Sequence, residues 1–164
     1  MANKKRTETD SLGTKKIDSH RLWGAQTQRS LENFKISNNK MPIEIIKALG
    51  QQKKASVLAN HSLGLIDKRL SNAITKACDD IINLKLINEF PLSVWQTGSG
   101  TQTNMNANEV ISNYAIKILK GQFCSNISQN SGIPKIIDGD TIHINNYKFR
   151  LEGIDAPEMR QQCK

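Results

Sequence analysis

A short segment rich in glycine and hydroxyl side chains is the first part of the chain that could do chemistry. Residues 98–104 read GSGTQTN and precede a predicted helix. Glycines let the backbone approach a ligand closely. A helix start adds N–H groups without intrahelical partners and the positive end of the helix dipole. With the hydroxyls of Ser99, Thr101 and Thr103, the segment predicts a cradle for a carboxylate or a phosphate. A glycine turn with Ser and Thr caps is the alternative.

Four charged residues near the end of the sequence form a second candidate site. Asp140 and Asp155 lie at opposite ends of a predicted hairpin, which can bring both carboxylates to a hard cation such as Ca²⁺. Arg150 could hold a phosphate through two hydrogen bonds. Glu158 could act as a base on water. Ordinary turn chemistry is the alternative, because Asp-Gly and Asp-Ala-Pro are common in turns.

Three predicted helices must position the first site. Pro42 is a good first helical residue, and the apolar spacing after it predicts a helix to about residue 60. Two more helices are predicted over residues 68–84 and 103–120. The helix over residues 68–84 has one apolar stripe, which predicts that Cys78 is a buried small side chain and not a nucleophile. Its members are Leu70, Ile74, Ala77, Cys78 and Ile81. Residues 1–40 are polar without periodicity and are predicted to be an irregular arm.

The period of the apolar pattern changes between Lys120 and Pro134. Residues 121–133 read as a polar linker, and residues 134–151 alternate as strands do. Asn145-Asn146 can form the two-residue turn of a hairpin there. The sequence therefore predicts a mainly α part over residues 1–120, a linker over 121–133 and a small β module over 134–164.

Composition limits the kinds of protein that the chain can be. Net charge is +8, and residues 1–120 carry all of it, with 18 Lys and Arg against 10 Asp and Glu. Such a surplus fits an anionic substrate or nucleic acid, or simply a solvated helical surface. Cys78, Cys124 and Cys163 are odd in number and form no CxxC, which fits free thiols in a reducing cytoplasm. No leader-like apolar segment or membrane span is apparent, so a cytoplasmic location is expected.

Three segments resemble the N-terminal region of class II fumarate hydratases, in the fumarase/aspartase superfamily. The resemblance covers roughly residues 5–119 and implies that family's mainly α N-terminal domain. It also implies a carbon–oxygen lyase of the tricarboxylic acid cycle that hydrates fumarate to malate without a metal cofactor. The segments are RTETDSLG at 6–13, RLWGAQTQRSLENFKI at 21–36 and FPLSVWQTGSGTQTNMN at 90–106.

The resemblance also implies roles for individual residues. Ser99, Gly100 and Thr101 match the segment that contacts a substrate carboxylate, and Asn104 and Asn106 lie beside it. The family's catalytic histidine and serine lie on later segments that have no match here, and its active site draws on three subunits of a tetramer. We therefore expect a dicarboxylate-binding part that is catalytically incomplete alone. Its expected partner is a second copy or a complementing fumarase fragment.

Residues 134–163 resemble the start of thermonuclease domains, which are small OB-fold phosphodiesterases. The resemblance implies that Asp140 and Asp155 are Ca²⁺ ligands, that Arg150 binds the scissile phosphate and that Glu158 is the general base. An OB barrel needs five strands, and this segment supplies about three, so an incomplete module is expected. A fusion remnant or interaction protein without catalytic activity is the third interpretation.

Overall fold

The computed structural model describes residues 4–123 and three strands beyond them. A hairpin of β1 (Lys5–Asp10) and β2 (Gly13–Asp18) comes first and is followed by α1 (Ala25–Asn33). Next come α2 (Ile43–Ser62), α3 (Lys68–Ile82), a 3₁₀ turn (Ile87–Glu89) and the long α4 (Thr101–Phe123). The strands β3 (Lys135–Asp138), β4 (Thr141–Ile144) and β5 (Tyr147–Arg150) complete the description. The mainly α character predicted for the first part is confirmed.

The three predicted helices are present with small shifts at their ends. Pro42 immediately precedes α2, and the predicted weak point at Gly50 does not interrupt that helix. Asp67 caps α3, because its side chain accepts a hydrogen bond from the Leu70 N–H group at 2.9 Å. The start of α4 lies two residues earlier than predicted, at Thr101, so the helix begins directly at the glycine segment.

The apolar stripe of α3 is the centre of the core. All five of its members are buried, and they lie in one cluster with side chains of α2 and α4, such as Ile46, Val57 and Val110. Cys78 is fully buried, and burial raises the pKa of its thiol to about 12. The prediction that Cys78 is a packing residue is therefore confirmed, because a thiol with that pKa stays protonated at neutral pH.

The prediction of an irregular N-terminal arm is wrong. Residues 5–18 form an antiparallel hairpin with Lys5 opposite Asp18 and Asp10 opposite Gly13. The inward-facing side chains of β1 are charged, which is why the sequence shows no apolar alternation. Arg6 donates hydrogen bonds to the backbone oxygens of Arg21 at 2.6 Å and Trp23 at 2.6 Å.

An ion pair between Arg29 and Asp10 joins the hairpin to α1. Arg29 donates from Nη2 and Nε to the two carboxylate oxygens of Asp10, at 2.9 and 3.0 Å, and also reaches the Gly13 oxygen. Gln26 donates to the same carboxylate at 2.7 Å. Such a two-point contact fixes the orientation of both side chains. The hairpin is therefore held by polar contacts to the segment before α1 and to α1 itself, and by Ile17 of β2, which is buried in the core.

Glu109 of α4 caps the start of α1. Its carboxylate accepts hydrogen bonds from the N–H groups of Gly24, Gln26 and Thr27 at 2.8, 2.7 and 3.1 Å. These donors belong to the cap and first turn of α1, where N–H groups have no partner within the helix. Gly24 has no side chain to serve as a cap, so a side chain 85 residues away in sequence performs that function.

The strands after residue 134 form a separate antiparallel sheet in the order β3-β4-β5. Ile144 pairs with Tyr147, so a two-residue connection joins β4 and β5, as predicted from the sequence. Asn145 and Asn146 themselves lie outside the described residues. The OB fold and the domain boundaries at 120 and 134 stay predictions.

No helix within residues 4–123 combines the length and apolar character needed to cross a bilayer.

Gly24→Ala tests the contact between α1 and α4. A Cβ atom on Gly24 would lie 2.6 Å from both Glu109 Oε1 and Glu8 Oε2, so the carboxylates must move and the cap of α1 is lost. We expect the free energy of unfolding to fall by about 3 kcal/mol in urea denaturation. Gly98→Ala is the matched control, because nothing lies within 4 Å of its Cβ position. Equal stabilities for the two variants would contradict the expectation.

Candidate functional site

The glycine segment forms a tight turn that leads directly into α4. Gly100 has φ +69, in the left-handed region that favours glycine. Its N–H group donates to the Thr97 oxygen at 3.1 Å, and its own oxygen accepts from the N–H groups of Thr103 and Asn104 at 3.1 and 3.3 Å. Gly100 therefore closes the turn on one side and begins the hydrogen bonding of α4 on the other.

The structure brings together the hydroxyls of Ser99 and Thr101. Their oxygens lie 2.9 Å apart, with Ser99 exposed and Thr101 half-buried. Thr101 and Gln102 are the first two residues of α4, where N–H groups have no acceptor within the helix. Hydroxyl donors beside such N–H groups suit a carboxylate or a phosphate. The structure thus brings Ser99 and Thr101 together at the helix start, and anion binding at this cradle stays a prediction.

The two asparagines predicted beside the cradle lie deeper than its hydroxyls. Asn106 is almost fully buried, and its side chain donates to the Glu89 oxygen at 3.0 Å, so it holds the 3₁₀ turn against α4. Asn104 is 8% exposed and lies one helical turn from Gly100. Asn106 is therefore a structural residue, and Asn104 presents only a small surface at the site.

Sequence reasoning misses Gln96. Its side-chain oxygen accepts from the Thr103 N–H group at 3.0 Å, which caps the first turn of α4 from outside the helix. A local pattern of capping residues cannot reveal this role, because Gln is not a usual cap and lies seven residues before its partner.

The first turn of α4 is also attached to α1. Ser30 of α1 donates from its hydroxyl to Gln102 Oε1 at 2.9 Å. The cap at Glu109 and this contact join α1 to α4 at two places, so the cradle is connected to α1.

Glu109 is the most perturbed carboxylate among the described residues. Burial raises its pKa to about 7 from an ordinary 4.5, against the opposite effect of the backbone hydrogen bonds that it accepts. Its side chain is 1% exposed and accepts three backbone N–H groups. It serves as the helix cap and faces the backbone of α1, so it is not a candidate acid or base for a ligand at the cradle.

The two histidines of residues 4–123 have no place in the cradle. His61 Nδ1 lies 3.1 Å from the Ile66 oxygen at the end of α2, and His20 is exposed after β2. His20 is therefore a surface residue, and His61 is a packing residue at the end of α2.

The second candidate site lies mostly outside the described residues. Arg150 is the last residue of β5 and pairs with Thr141 of β4, but Asp140, Asp155 and Glu158 are not described. Among the residues that the structure describes, no group of three or more His, Cys, Asp or Glu side chains could hold a metal ion. The Ca²⁺ site therefore stays a prediction.

Comparison with known proteins identifies the family of the first part of the chain. A family model described as lyase matches residues 13–132, which include α1 to α4 and the cradle. The chain belongs to this lyase family. The match ends before the segment that resembles thermonucleases, so that interpretation stays a prediction for residues 134–163.

Several class II fumarate hydratases are similar members of the lyase family. The chain is 56% identical to the Helicobacter pylori enzyme over 118 residues, which is 72% of this chain and 26% of that one. It is also 56% identical to the Rhizobium meliloti enzyme over 116 residues, 71% of this chain and 25% of that one. The chain thus spans about a quarter of the length of these relatives.

A solved structure in the same family has the same fold. The crystal structure of class II fumarase from Schistosoma mansoni matches with a TM-score of 0.70 and 45% identity, over 72% of this chain and 25% of that chain. The predicted resemblance to the fumarase/aspartase N-terminal region is therefore confirmed for the helical part.

The raised pKa of Glu109 predicts a pH dependence of stability. Between pH 4.5 and about 7 the folded chain keeps a proton on Glu109 that the unfolded chain releases. This contribution is therefore fully present below pH 4.5 and is lost as the pH rises through about 7. The loss is on the order of 3 kcal/mol.

Urea denaturation at several pH values measures this loss. Relative to Glu109→Gln, the wild type should lose stability from pH 4.5 to 7.5, whereas the exposed Glu44→Gln control should follow the wild type. If the stability of Glu109→Gln changed with pH as that of the wild type does, a group other than Glu109 would be responsible for the pH dependence.

Proposed function

We propose that the chain supplies the N-terminal part of a lyase of the class II fumarate hydratase type, and that residues 99–101 bind one carboxylate of fumarate or malate. The helix start beside the paired hydroxyls of Ser99 and Thr101 carries this proposal. The identity to fumarate hydratases supports it, because the cradle lies within the matched region.

The chemistry of the cradle fits a role in binding and in charge stabilisation. Hydration adds hydroxide to one carbon of the double bond and a proton to the other. In the reverse direction, removing a proton beside a carboxylate moves negative charge onto that carboxylate. Hydroxyls and the positive end of a helix stabilise such charge where it develops.

The acid and base for this reaction must come from other residues. Residues 91–108 contain no Asp, Glu, His, Cys, Lys, Arg or Tyr. Proton transfer to or from carbon needs a positioned ionisable group. We therefore propose that this part binds and orients the dicarboxylate, and that hydration needs further residues from another segment or another chain.

Exposed apolar side chains support a partner that supplies those residues. On α2, Ile43, Ile45 and Leu58 are 42–48% exposed, and Leu63 and Leu65 just after it are more so. A partner that covers these apolar side chains at the two ends of α2 would remove them from water. The proposed partner is a complementing fumarase fragment or a second copy of the chain.

Titration with fumarate tests the binding step. We expect saturable shifts of the backbone amide resonances of residues 99–101 in the full chain. Ser99→Ala and Thr101→Val should each weaken binding by about fivefold, since each removes one hydroxyl donor. Ser56→Ala, which removes a hydroxyl from α2, should leave binding unchanged. Shifts that are absent, or spread evenly over the chain, would refute the proposed cradle.

Complementation tests the catalytic step. The chain alone should leave the ultraviolet absorbance of fumarate unchanged. Co-expression with the C-terminal three quarters of a class II fumarate hydratase should produce a loss of fumarate absorbance that Thr101→Val reduces. No activity in the assembled pair would count against the lyase proposal.

A second function is proposed for residues 134–163. Backbone pairing places Thr141 opposite Arg150, and Asp140 directly precedes Thr141 in the sequence. The sequence resemblance supports a phosphodiesterase segment in which Asp140 and Asp155 would hold Ca²⁺, Arg150 would bind phosphate and Glu158 would act as the base. When bound, Ca²⁺ would polarise the phosphate.

Cleavage of DNA tests this second function. We expect weak cleavage that needs Ca²⁺, is abolished by a chelator and disappears in Glu158→Gln. Glu44→Gln, an exposed change on α2, is the control and should cleave like the wild type. Equal residual cleavage in the wild type and Glu158→Gln would identify a contaminating nuclease.

A further inference from the structure

The Gln96 side chain makes more hydrogen bonds than any other side chain in the segment before α4. Its Oε1 lies 3.0 Å from the Thr103 nitrogen and 3.0 Å from the Thr103 hydroxyl. Its Nε2 lies 2.7 Å from that hydroxyl and 3.0 Å from the Ser93 oxygen. One amide group therefore joins the Ser93 backbone to the first turn of α4.

These contacts close the cradle into a ring. Residues 96 and 103 are held together by the amide, and the turn with Ser99, Gly100 and Thr101 lies between them in the chain. Thr103 is the third residue of α4, and its N–H group is shared between the Gly100 oxygen at 3.1 Å and the Gln96 side-chain oxygen at 3.0 Å. The first two N–H groups of α4, those of Thr101 and Gln102, have no acceptor within the helix and face the turn that the ring encloses in sequence.

An uncharged amide is the side chain that this position needs. A carboxylate at residue 96 would also accept the Thr103 N–H group and would suit a helix start electrostatically. It would, however, place a negative charge beside the site of an anionic ligand, in a segment that otherwise has no ionisable side chain. It would also lose the donor that reaches Ser93.

We propose that Gln96 is the positioning residue of the carboxylate cradle, and this proposal rests on the proposed function. Its amide holds residues 97–100 against the start of α4 and keeps that helix start free of a competing negative charge. Gln96 touches no part of the ligand. Its effect on binding passes through the shape and the charge of the ring that it closes.

Two substitutions in the full chain separate these effects. Gln96→Glu keeps a side-chain acceptor for the Thr103 N–H group but adds a charge. Gln96→Leu removes the side-chain acceptor, leaves only the Gly100 oxygen and adds no charge. The exposed Gln51→Glu on α2 is the control for the charge change. The hydrogen-exchange rate of the Thr103 amide reports whether the ring is closed. The shifts of the amide resonances of residues 99–101 during titration with fumarate measure binding.

Each variant has a distinct expected result. Gln96→Leu should speed exchange at Thr103 by roughly fivefold, as loss of a helix cap does, and should weaken fumarate binding by a similar factor. Gln96→Glu should keep the slow exchange of Thr103 but weaken fumarate binding by about tenfold, and this loss should diminish with added salt. Gln51→Glu should match the wild type in both measurements.

The outcomes distinguish this proposal from the proposed function. Wild-type exchange and wild-type binding in Gln96→Leu would overturn the role of Gln96 while leaving the cradle in place. Equal binding by Gln96→Glu and the wild type would overturn the charge argument. No fumarate shift in the wild type would overturn the proposed function and the binding role of Gln96 together, whatever the exchange of Thr103.

Discussion

The buried carboxylate of Glu109 is the interaction on which the rest of the structure depends. It caps α1, whose own N-cap residue is Gly24, and Gly24 leaves the space that the carboxylate occupies. Once α1 is fixed, Arg29 holds the N-terminal hairpin through Asp10, and Ser30 holds the first turn of α4. The cost of burying the carboxylate is visible in its raised pKa. The Glu109 side chain thus joins α4 to α1, and α1 in turn holds the N-terminal hairpin.

The long helix α4 has a structural role in the core, and its first turn has the proposed binding role. Its middle is buried, with Val110, Ile111 and Ala115 in the core, and its first turn faces the glycine segment. Further anchoring comes from Asp80 of α3, which accepts a hydrogen bond from the Tyr114 hydroxyl at 3.1 Å. A helix start held by a packed helix body is well suited to orient an anion. Residues 91–108 have no ionisable side chain, which fits the proposal that this part binds and that the proton chemistry lies on other residues.

Much of the helical part could be predicted from the sequence, because its helices carry apolar side chains at helical spacing. The stripe from Leu70 to Ile81 predicts both α3 and the burial of Cys78. The N-terminal hairpin could not be predicted in this way, because charged side chains such as Arg6 and Asp10 occupy its inward face. Their partners are backbone oxygens and an arginine elsewhere in the chain, and no local pattern announces such contacts.

The candidate site also has one part that the sequence predicts and another that it does not. The sequence by itself determined the cradle's components, since Gly100 and the hydroxyls of Ser99 and Thr101 lie next to a predicted helix start. It also determined the family to which the helical part belongs. Only the tertiary structure decided what holds the cradle in shape, because Gln96 and Glu109 act through hydrogen bonds to other segments. Local spacing reports conformational preference, whereas such contacts exist only after the chain has folded.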